Sequence, residues 1–262
     1  MKAFPIVALL LALPLHAKII ARAKPPIAPE KAKQLQEKFQ ANIQHYTGIL
    51  KKFPDSISVY SRRGDNHLFA GNFKEAIADY EKMIEIDRGQ DAPHWRLGIA
   101  YYYENRFQKG MEQFAKYHAY DAVDRENGVW KFFCQANHHN IAKAQKEMLP
   151  YTRFDRHPFP AVYDLLAGKE GTTPESILQA AKDSKEPKST KDLRVFFADF
   201  YIGMWYETQG NKEQALHHLW KATQNPTVQA TGTYMWQVAR IHYGQLAKGA
   251  FRIPKEKQGK GK

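Results

Sequence analysis

The chain has 262 residues, of which 43% are hydrophobic and 13% aromatic, which allows a sizeable core and excludes a wholly disordered or collagen-like protein. The single cysteine, Cys134, excludes an intrachain disulfide and any metal centre that needs several thiolates. The formal net charge is +12, but residues 18–33 carry +4 and residues 248–262 carry +5, so the centre of the chain is nearly balanced. We therefore do not expect a basic globular face, and nucleic acid is not an expected partner.

The first predicted element is a leader peptide. Lys2 precedes an apolar run from Ala3 to Leu15, and small residues follow around Ala17, which is the order of a secretory signal. Because the run is shorter than a membrane-spanning helix, we predict a cleaved signal peptide over residues 1–17. The protein is then expected to be exported, periplasmic or secreted, without a transmembrane anchor in the mature chain. Cleavage after Ala23 is an alternative to cleavage after Ala17.

Three further regions follow the leader. The proline-rich stretch 18–28 is predicted to be a linker, because prolines interrupt any helix there. Residues 29–247 are predicted to form one helical domain. The remaining residues, 248–262, are rich in lysine and are predicted to be a basic disordered tail.

Aromatic and small residues recur every 34 positions within the helical domain. The recurring columns are Phe39, Phe73 and Phe107, then Asn42, Ala76, Gly110 and Ala144, then Tyr46, Tyr80, Phe114 and Met148. Columns that lie three or four residues apart form one face of an α-helix, and a small residue lets a neighbouring helix approach closely. Gly64 and Gly98 recur at the same spacing and mark a second helix in each unit. No stretch alternates like a strand, so we predict an all-α fold.

These units resemble the tetratricopeptide repeat family. The second unit carries Trp95, Leu97-Gly98 and Tyr101, and a late copy carries Ile202-Gly203 and Tyr206. The resemblance implies a helical-repeat superhelix with an irregular helical insertion before the last repeat. The implied repeats span about 57–90, 91–124, 125–152 (degenerate) and 196–229.

Helices outside the full repeats are expected at both ends. Residues 29–53 match the second helix of a repeat and are expected to cap the array. A last apolar helix over about 228–247 is expected to seal the other end.

The order of the elements also resembles the NlpI-type lipoproteins of bacterial envelopes. The match includes a Tyr-Asp-Leu-Leu-Ala-Gly segment at 163–168 and a final repeat at 200–223. This resemblance implies a scaffold, often a homodimer, whose protein partners are envelope proteases or peptidoglycan hydrolases. The chain has no lipobox cysteine, so lipid attachment is not expected.

Motifs that would carry catalysis are absent from the sequence. There is no HExxH, GxSxG or P-loop pattern. The neighbours His138 and His139 would diverge by about 100° on a helix, so they cannot chelate together. We expect exposed or loop histidines near the repeat turns, Asp79 on a solvated helix face, and no metal, cofactor or enzymatic activity. A nucleophilic Cys134 beside a histidine is the open alternative to a buried, inert thiol.

The resemblance to tetratricopeptide repeats further implies a groove lined by the first helix of each repeat. The candidate groove residues are Ser61, Arg62, Asp65, Leu68, Trp95, Ile99, Tyr102, Phe200, Met204 and Glu207. Aromatic anchors among a few charges suit a peptide with apolar side chains. The sequence thus predicts a non-catalytic adaptor that binds peptides or partner proteins in the cell envelope. The alternative is a protein that binds a surface or an anionic polymer through its basic tails.

Overall fold

Thirteen α-helices and no strand occur in residues 24–249, the part of the chain that the computed structural model describes. The helices are α1 (Pro29–Leu50), α2 (Ile57–Ala70), α3 (Phe73–Ile86), α4 (Trp95–Tyr103), α5 (Phe107–Tyr120), α6 (Arg125–His138), α7 (Ile141–Lys146), α8 (Phe159–Leu166), α9 (Pro174–Asp183), α10 (Lys188–Thr208), α11 (Lys212–Gln224), α12 (Pro226–Thr231) and α13 (Tyr234–Ala247).

Consecutive helices pack as antiparallel pairs. One helix pair corresponds to each of the four predicted repeats: α2–α3, α4–α5, α6–α7 and α10–α11. The preceding helix, α1, has no such partner of its own and packs on α2. Short turns join the pairs: Gly71 ends α2 with φ of 88°, and Asn105 follows α4 with φ of 60°. Both values lie in the left-handed region that stops a helix abruptly. The predicted all-α fold of the tetratricopeptide type, with a helical insertion before the last pair, is confirmed.

The 34-residue columns meet inside each pair. A Cβ atom built on Gly64 would lie 2.6 Å from the Tyr80 ring, and one built on Gly98 would lie 2.6 Å from the Phe114 ring. Both rings are fully buried. The small residue on the first helix therefore makes room for the large residue on the second, as the spacing predicts.

The insertion joins α7 to α10. A capping box between Thr173 and Ser176 begins α9, and Pro174 occupies its first turn. The predicted single helix over 228–247 is wrong, because α12 ends at Gly232, where φ is 60°, and α13 begins separately behind the cap Thr233.

The first described residues do not behave as a linker. Ile27 is only 5% exposed, and the carbonyl groups of Lys24 and Pro26 accept hydrogen bonds from Tyr243 and Gln224. Residues 24–28 of the predicted linker are thus packed against the C-terminal helices, because Ile27 has an apolar site to fill there. The predicted signal peptide over 1–17 and residues 250–262 of the predicted tail lie outside the described residues. None of the described helices has both the length and the apolar character needed to cross a membrane.

Candidate functional site

The first helices of the pairs are the elements predicted to line the groove, and α13 contacts three of them. This last helix packs on α11, and it also reaches α2, α4 and α10. Nine of its fourteen residues are buried. The helix is therefore part of the core and fills much of the groove that a tetratricopeptide superhelix would otherwise leave open.

Aromatic rings hold the beginning of α13 in the groove. The Tyr234 ring packs edge-on against Trp95 of α4 and Phe69 of α2, with centroid separations of 4.8 and 5.0 Å. One turn and a half later, Arg240 donates a hydrogen bond of 2.7 Å to the carbonyl oxygen of Phe69. Edge-to-face contacts of this kind add to the burial of apolar surface, so this end of α13 is well anchored.

A buried polar network holds the later turns. Nε2 of His242 lies 2.7 Å from a carboxylate oxygen of Glu207 on α10, and Nδ1 lies 3.2 Å from the Tyr103 hydroxyl on α4. His242 has no solvent exposure and Glu207 has 1%. Because these groups satisfy one another in the interior, they fix the position of α13 between α4 and α10.

The structure divides the ten predicted groove residues into a covered and an open set. The covered residues, each at most 1% exposed, are Leu68, Ile99, Tyr102, Phe200, Met204 and Glu207. The open set consists of Ser61, Asp65 and Trp95, which are half-buried, and Arg62, which is exposed. Of these ten residues, only the open set can contact a partner in the folded chain without rearrangement.

One residue of the open set, Asp65, forms an ion pair with Arg96, which joins the first two repeats. Nη1 of Arg96 donates to both carboxylate oxygens of Asp65 at 2.9 Å, and the Tyr80 hydroxyl donates to the same carboxylate at 2.7 Å. Burial raises the pKa of Asp65 above its ordinary value, and the charge of Arg96 opposes that rise. The rim of the groove is thus preorganised: Asp65 and Arg96 are held together, while Arg62 is free to meet solvent.

His94, which precedes Trp95, makes the fold sensitive to acid. Burial and the charge of Arg96 lower the pKa of His94 from 6.5 to about 4, and its Nδ1 accepts a hydrogen bond from the backbone N–H of Leu97. As the pH falls below about 6.5, His94 becomes protonated in the unfolded chain, whereas in the folded chain it stays neutral until about pH 4. Stability that is fully present above pH 6.5 is therefore lost as the pH falls towards 4.

We expect this histidine to account for a loss of about 3 kcal/mol in the free energy of unfolding between about pH 7 and pH 4. His94→Asn keeps an acceptor for the N–H of Leu97 but cannot be protonated, so it should remove most of that loss. Urea unfolding of both proteins across this pH range measures the difference. Parallel pH profiles would contradict the assignment.

Several sequence expectations about polar side chains are wrong. Asp79 is 3% exposed rather than solvated, because Arg63 on the facing helix binds both of its oxygens. His218 and His242 lie within helices and are buried, since each has a hydrogen-bond partner inside the fold. His94 lies in the loop before α4, as expected, but it is also buried. Hydrophobic periodicity carries no signal for the pairs of Asp79, His218 and His242, whose partners lie 16 to 35 positions away in the chain.

Features that could support chemistry are sparse in the described part of the chain. Among residues 24–249 there is no group of three or more His, Cys, Asp or Glu side chains that could hold a metal ion. Cys134 is fully buried, and its Sγ atom occupies the space beside Gly110. A buried thiol in an apolar setting packs as a small hydrophobic residue.

The fold and the groove define a helical-repeat protein of the tetratricopeptide type. No family model matches the chain. It is 28% identical over 96 residues to the protein SGT1 homolog of Bos taurus; the matched residues are 37% of this chain and 28% of that protein. The chain is also 25% identical over 160 residues to the Hsp70-Hsp90 organizing protein of Triticum aestivum; these residues are 60% of this chain and 26% of that protein. The chain thus spans about a quarter of the length of these relatives.

Proposed function

We propose that the protein is a non-catalytic adaptor that binds a protein or peptide at the open part of the inner groove. One observation carries this proposal: Ser61 and Trp95, which lie 34 positions apart and each three residues before a repeat glycine (Gly64 or Gly98), remain partly accessible. Arg62, which follows Ser61 on α2, is exposed. Tryptophan and arginine are the residue types that most often dominate the energy of protein interfaces.

The similarity to other proteins supports an adaptor. One relative is named as an organizing protein for Hsp70 and Hsp90, and a second such protein, from Arabidopsis thaliana, is 24% identical over 134 residues. A helical-repeat surface that positions other proteins needs no reactive centre of its own.

The cellular setting belongs to the same proposal. The leader over residues 1–17 supports export to the periplasm or the medium, and the NlpI-like order of elements supports envelope proteases or peptidoglycan hydrolases as partners. A homodimer is proposed on the same resemblance. N-terminal sequencing of the protein recovered from whole cells tests export, because cleavage would leave a chain that begins at Lys18 or Lys24.

The binding surface is tested by crosslinked pull-down and mass spectrometry with the exported protein as bait. We expect Trp95→Ala with Arg62→Glu to lower recovery of the main partners by about tenfold or more. Arg62→Glu alone should lower recovery severalfold without a cost in stability, because its side chain is exposed.

The matched control removes an aromatic ring and reverses a positive charge at residues outside the candidate groove set. Tyr120, at the end of α5, is 65% exposed, and Lys74 of α3 is also exposed, so Tyr120→Ala with Lys74→Glu removes an aromatic ring and reverses one cation. This control should keep full recovery. Equal recovery by the groove and control variants, with unchanged melting temperatures, would refute the open groove as the binding surface.

A further inference from the structure

Three carboxyl groups converge on one guanidinium group at the start of α6. Nη2 of Arg156 donates a hydrogen bond of 2.6 Å to Glu126. Nη1 of the same side chain lies 3.1 Å from an oxygen of Asp124 and 3.2 Å from an oxygen of Asp155. The Tyr201 hydroxyl donates to the other oxygen of Glu126 at 2.5 Å. The carboxyl cluster, as we call it, consists of Asp124, Glu126, Asp155, Arg156 and Tyr201.

The carboxyl cluster joins three parts of the fold. Asp124 and Glu126 lie at the start of α6, Tyr201 lies in α10, and the other two members lie in the loop between α7 and α8. Asp155 also accepts hydrogen bonds from two backbone N–H groups, that of the next residue and that of Arg125 on α6. These contacts hold the loop before α8 against both α6 and α10.

The cluster has an excess of negative charge when all of its carboxyl groups are ionised. Three carboxylates against one guanidinium leave a net charge of −2, and no other cation in the described part of the chain forms an ion pair with the three acids. The side chains of Glu126 and Asp155 are only 13% and 6% exposed. Like charges that share a site with little water disfavour one another. One carboxyl group is therefore expected to keep its proton to a higher pH than a hydrated carboxyl group does.

Glu126 is the member of the cluster best placed to keep this proton. Burial raises the pKa of Glu126 to about 7. The positive charge of Arg156 and the hydrogen bond from Tyr201 oppose this rise, whereas the negative charges of Asp124 and Asp155 add to it. Burial and the neighbouring carboxylates together outweigh the single cation.

Further charged or titratable groups lie on the elements around the cluster. They are Tyr117, His118 and Asp121 at the end of α5, Arg125 on α6, and Tyr151 and His157 in the loop. Burial raises the pKa of Tyr117 to about 12 and that of Tyr151 still further, so both hydroxyl groups stay neutral below pH 8. The two histidines are unchanged in every variant of the experiment, so a difference between variants reports on the cluster.

We propose that the carboxyl cluster is a pH-sensitive clamp, which holds the loop between α7 and α8 in place while it keeps one proton and loosens when that proton leaves. Opening of the loop lets water reach Glu126, and a hydrated carboxyl group gives up its proton more readily. Because folding raises the pKa of Glu126 from 4.5 to about 7, the stability that this group contributes is complete below about pH 4.5 and is lost as the pH rises through about 7. A rise in pH across this range therefore favours the open loop.

Hydrogen exchange of the full chain, resolved by NMR, tests the clamp. The backbone N–H groups of Arg125 and Arg156 are direct reporters, because both bond to Asp155. After correction for the intrinsic effect of pH on exchange, we expect their protection to fall about tenfold or more between about pH 5 and pH 8. Glu126→Gln cannot ionise, so protection in this variant should stay within about twofold across the range.

Two milder variants test the cluster in opposite directions. Asp124→Asn keeps an N-cap for α6 and removes a negative charge beside Glu126, so the loss of protection should occur at a pH lower by about 0.5 or more. Tyr201→Phe removes a donor that stabilises the ionised Glu126, so the loss should move to higher pH. A contact that merely held the loop would not move the profile in both directions. Unshifted profiles in both variants would overturn the proposal.

A matched control and an independent readout complete the experiment. Glu170 is an exposed carboxyl group of the insertion, and Glu170→Gln should leave the pH profile unchanged. In an NMR titration of the carboxyl carbons, one signal that Glu126→Gln removes should titrate near pH 7. The proposal also fails if every carboxyl group of the folded chain titrates below about pH 5.5, or if Glu126→Gln keeps the pH profile of the unchanged protein.

Discussion

Gly98→Ala should lower the free energy of unfolding by about 2 kcal/mol, although alanine is intrinsically the better helix former by about 1 kcal/mol. The added Cβ atom would lie 2.6 to 2.8 Å from three carbon atoms of the Phe114 ring. The ring is fully buried and stacks on Trp130 at a centroid separation of 6.4 Å, so it has little room to retreat. Either α4 and α5 separate or the ring leaves its preferred rotamer, and both responses cost energy.

Two variants give this prediction its controls. Gly48 lies in α1, and a Cβ atom added there would meet no atom of the facing helices within 4 Å among residues 24–249, so Gly48→Ala should raise the free energy of unfolding by about 0.5 kcal/mol. The double variant Phe114→Leu with Gly98→Ala should lose less free energy of unfolding than the two single variants lose together, because the smaller side chain leaves space for the new methyl group. Urea or thermal unfolding measures all four proteins. A neutral or stabilising Gly98→Ala would refute close packing between α4 and α5.

Arg63→Met should cost about 3 to 5 kcal/mol of stability. Asp79 is almost completely buried, and Arg63 neutralises it through hydrogen bonds of 2.9 Å from Nε and 2.6 Å from Nη2. The same guanidinium donates to Thr47 on α1 at 3.1 Å, so it also joins the capping helix to the first repeat. Removal of the cation leaves a carboxylate buried without its counter-charge, which is much more costly than the loss of an exposed ion pair.

A compensating change distinguishes this mechanism from simple loss of packing. Arg63→Met with Asp79→Leu removes both charges and fills similar space, so it should recover most of the stability lost in the single variant. The exposed pair of Lys82 and Glu85 supplies the comparison, and Lys82→Met should leave the midpoint of unfolding unchanged within error. Denaturation at neutral pH, followed by circular dichroism, measures the set. A double variant as unstable as Arg63→Met would contradict the buried-charge explanation.

The helix pairs were accessible to sequence reasoning because their determinants are local or periodic. Gly64 and Tyr80, like Gly98 and Phe114, recur in register, and they meet within one pair of adjacent helices. Sequence reasoning also gave Ser61, Arg62, Asp65 and Trp95 as candidate groove residues, but through the resemblance to tetratricopeptide repeats, and their role stays a prediction. Sequence reasoning misplaced Asp79, because a lone carboxylate on an amphipathic helix looks like a solvated residue until its partner on the facing helix is known.

The position of α13 depended on contacts that no local pattern encodes. In the sequence, residues 228–247 look like an ordinary apolar helix that ends the array. Tyr234 meets Tyr80 across 154 positions, and Arg240 meets Phe69 across 171. Such pairings arise from the shape and hydrogen-bonding groups of the groove itself, so only the assembled superhelix reveals that this helix occupies it.

The amino-acid sequence by itself determined the all-α character, the 34-residue period and the concentration of charge at the two ends, since each follows from residue spacing or composition. The tertiary structure alone decided which candidate groove residues remain accessible and that residues 24–28 pack against α11 and α13. Burial and long-range proximity depend on how complete helices pack against one another, and helices of similar composition can pack in many ways until specific side chains select one.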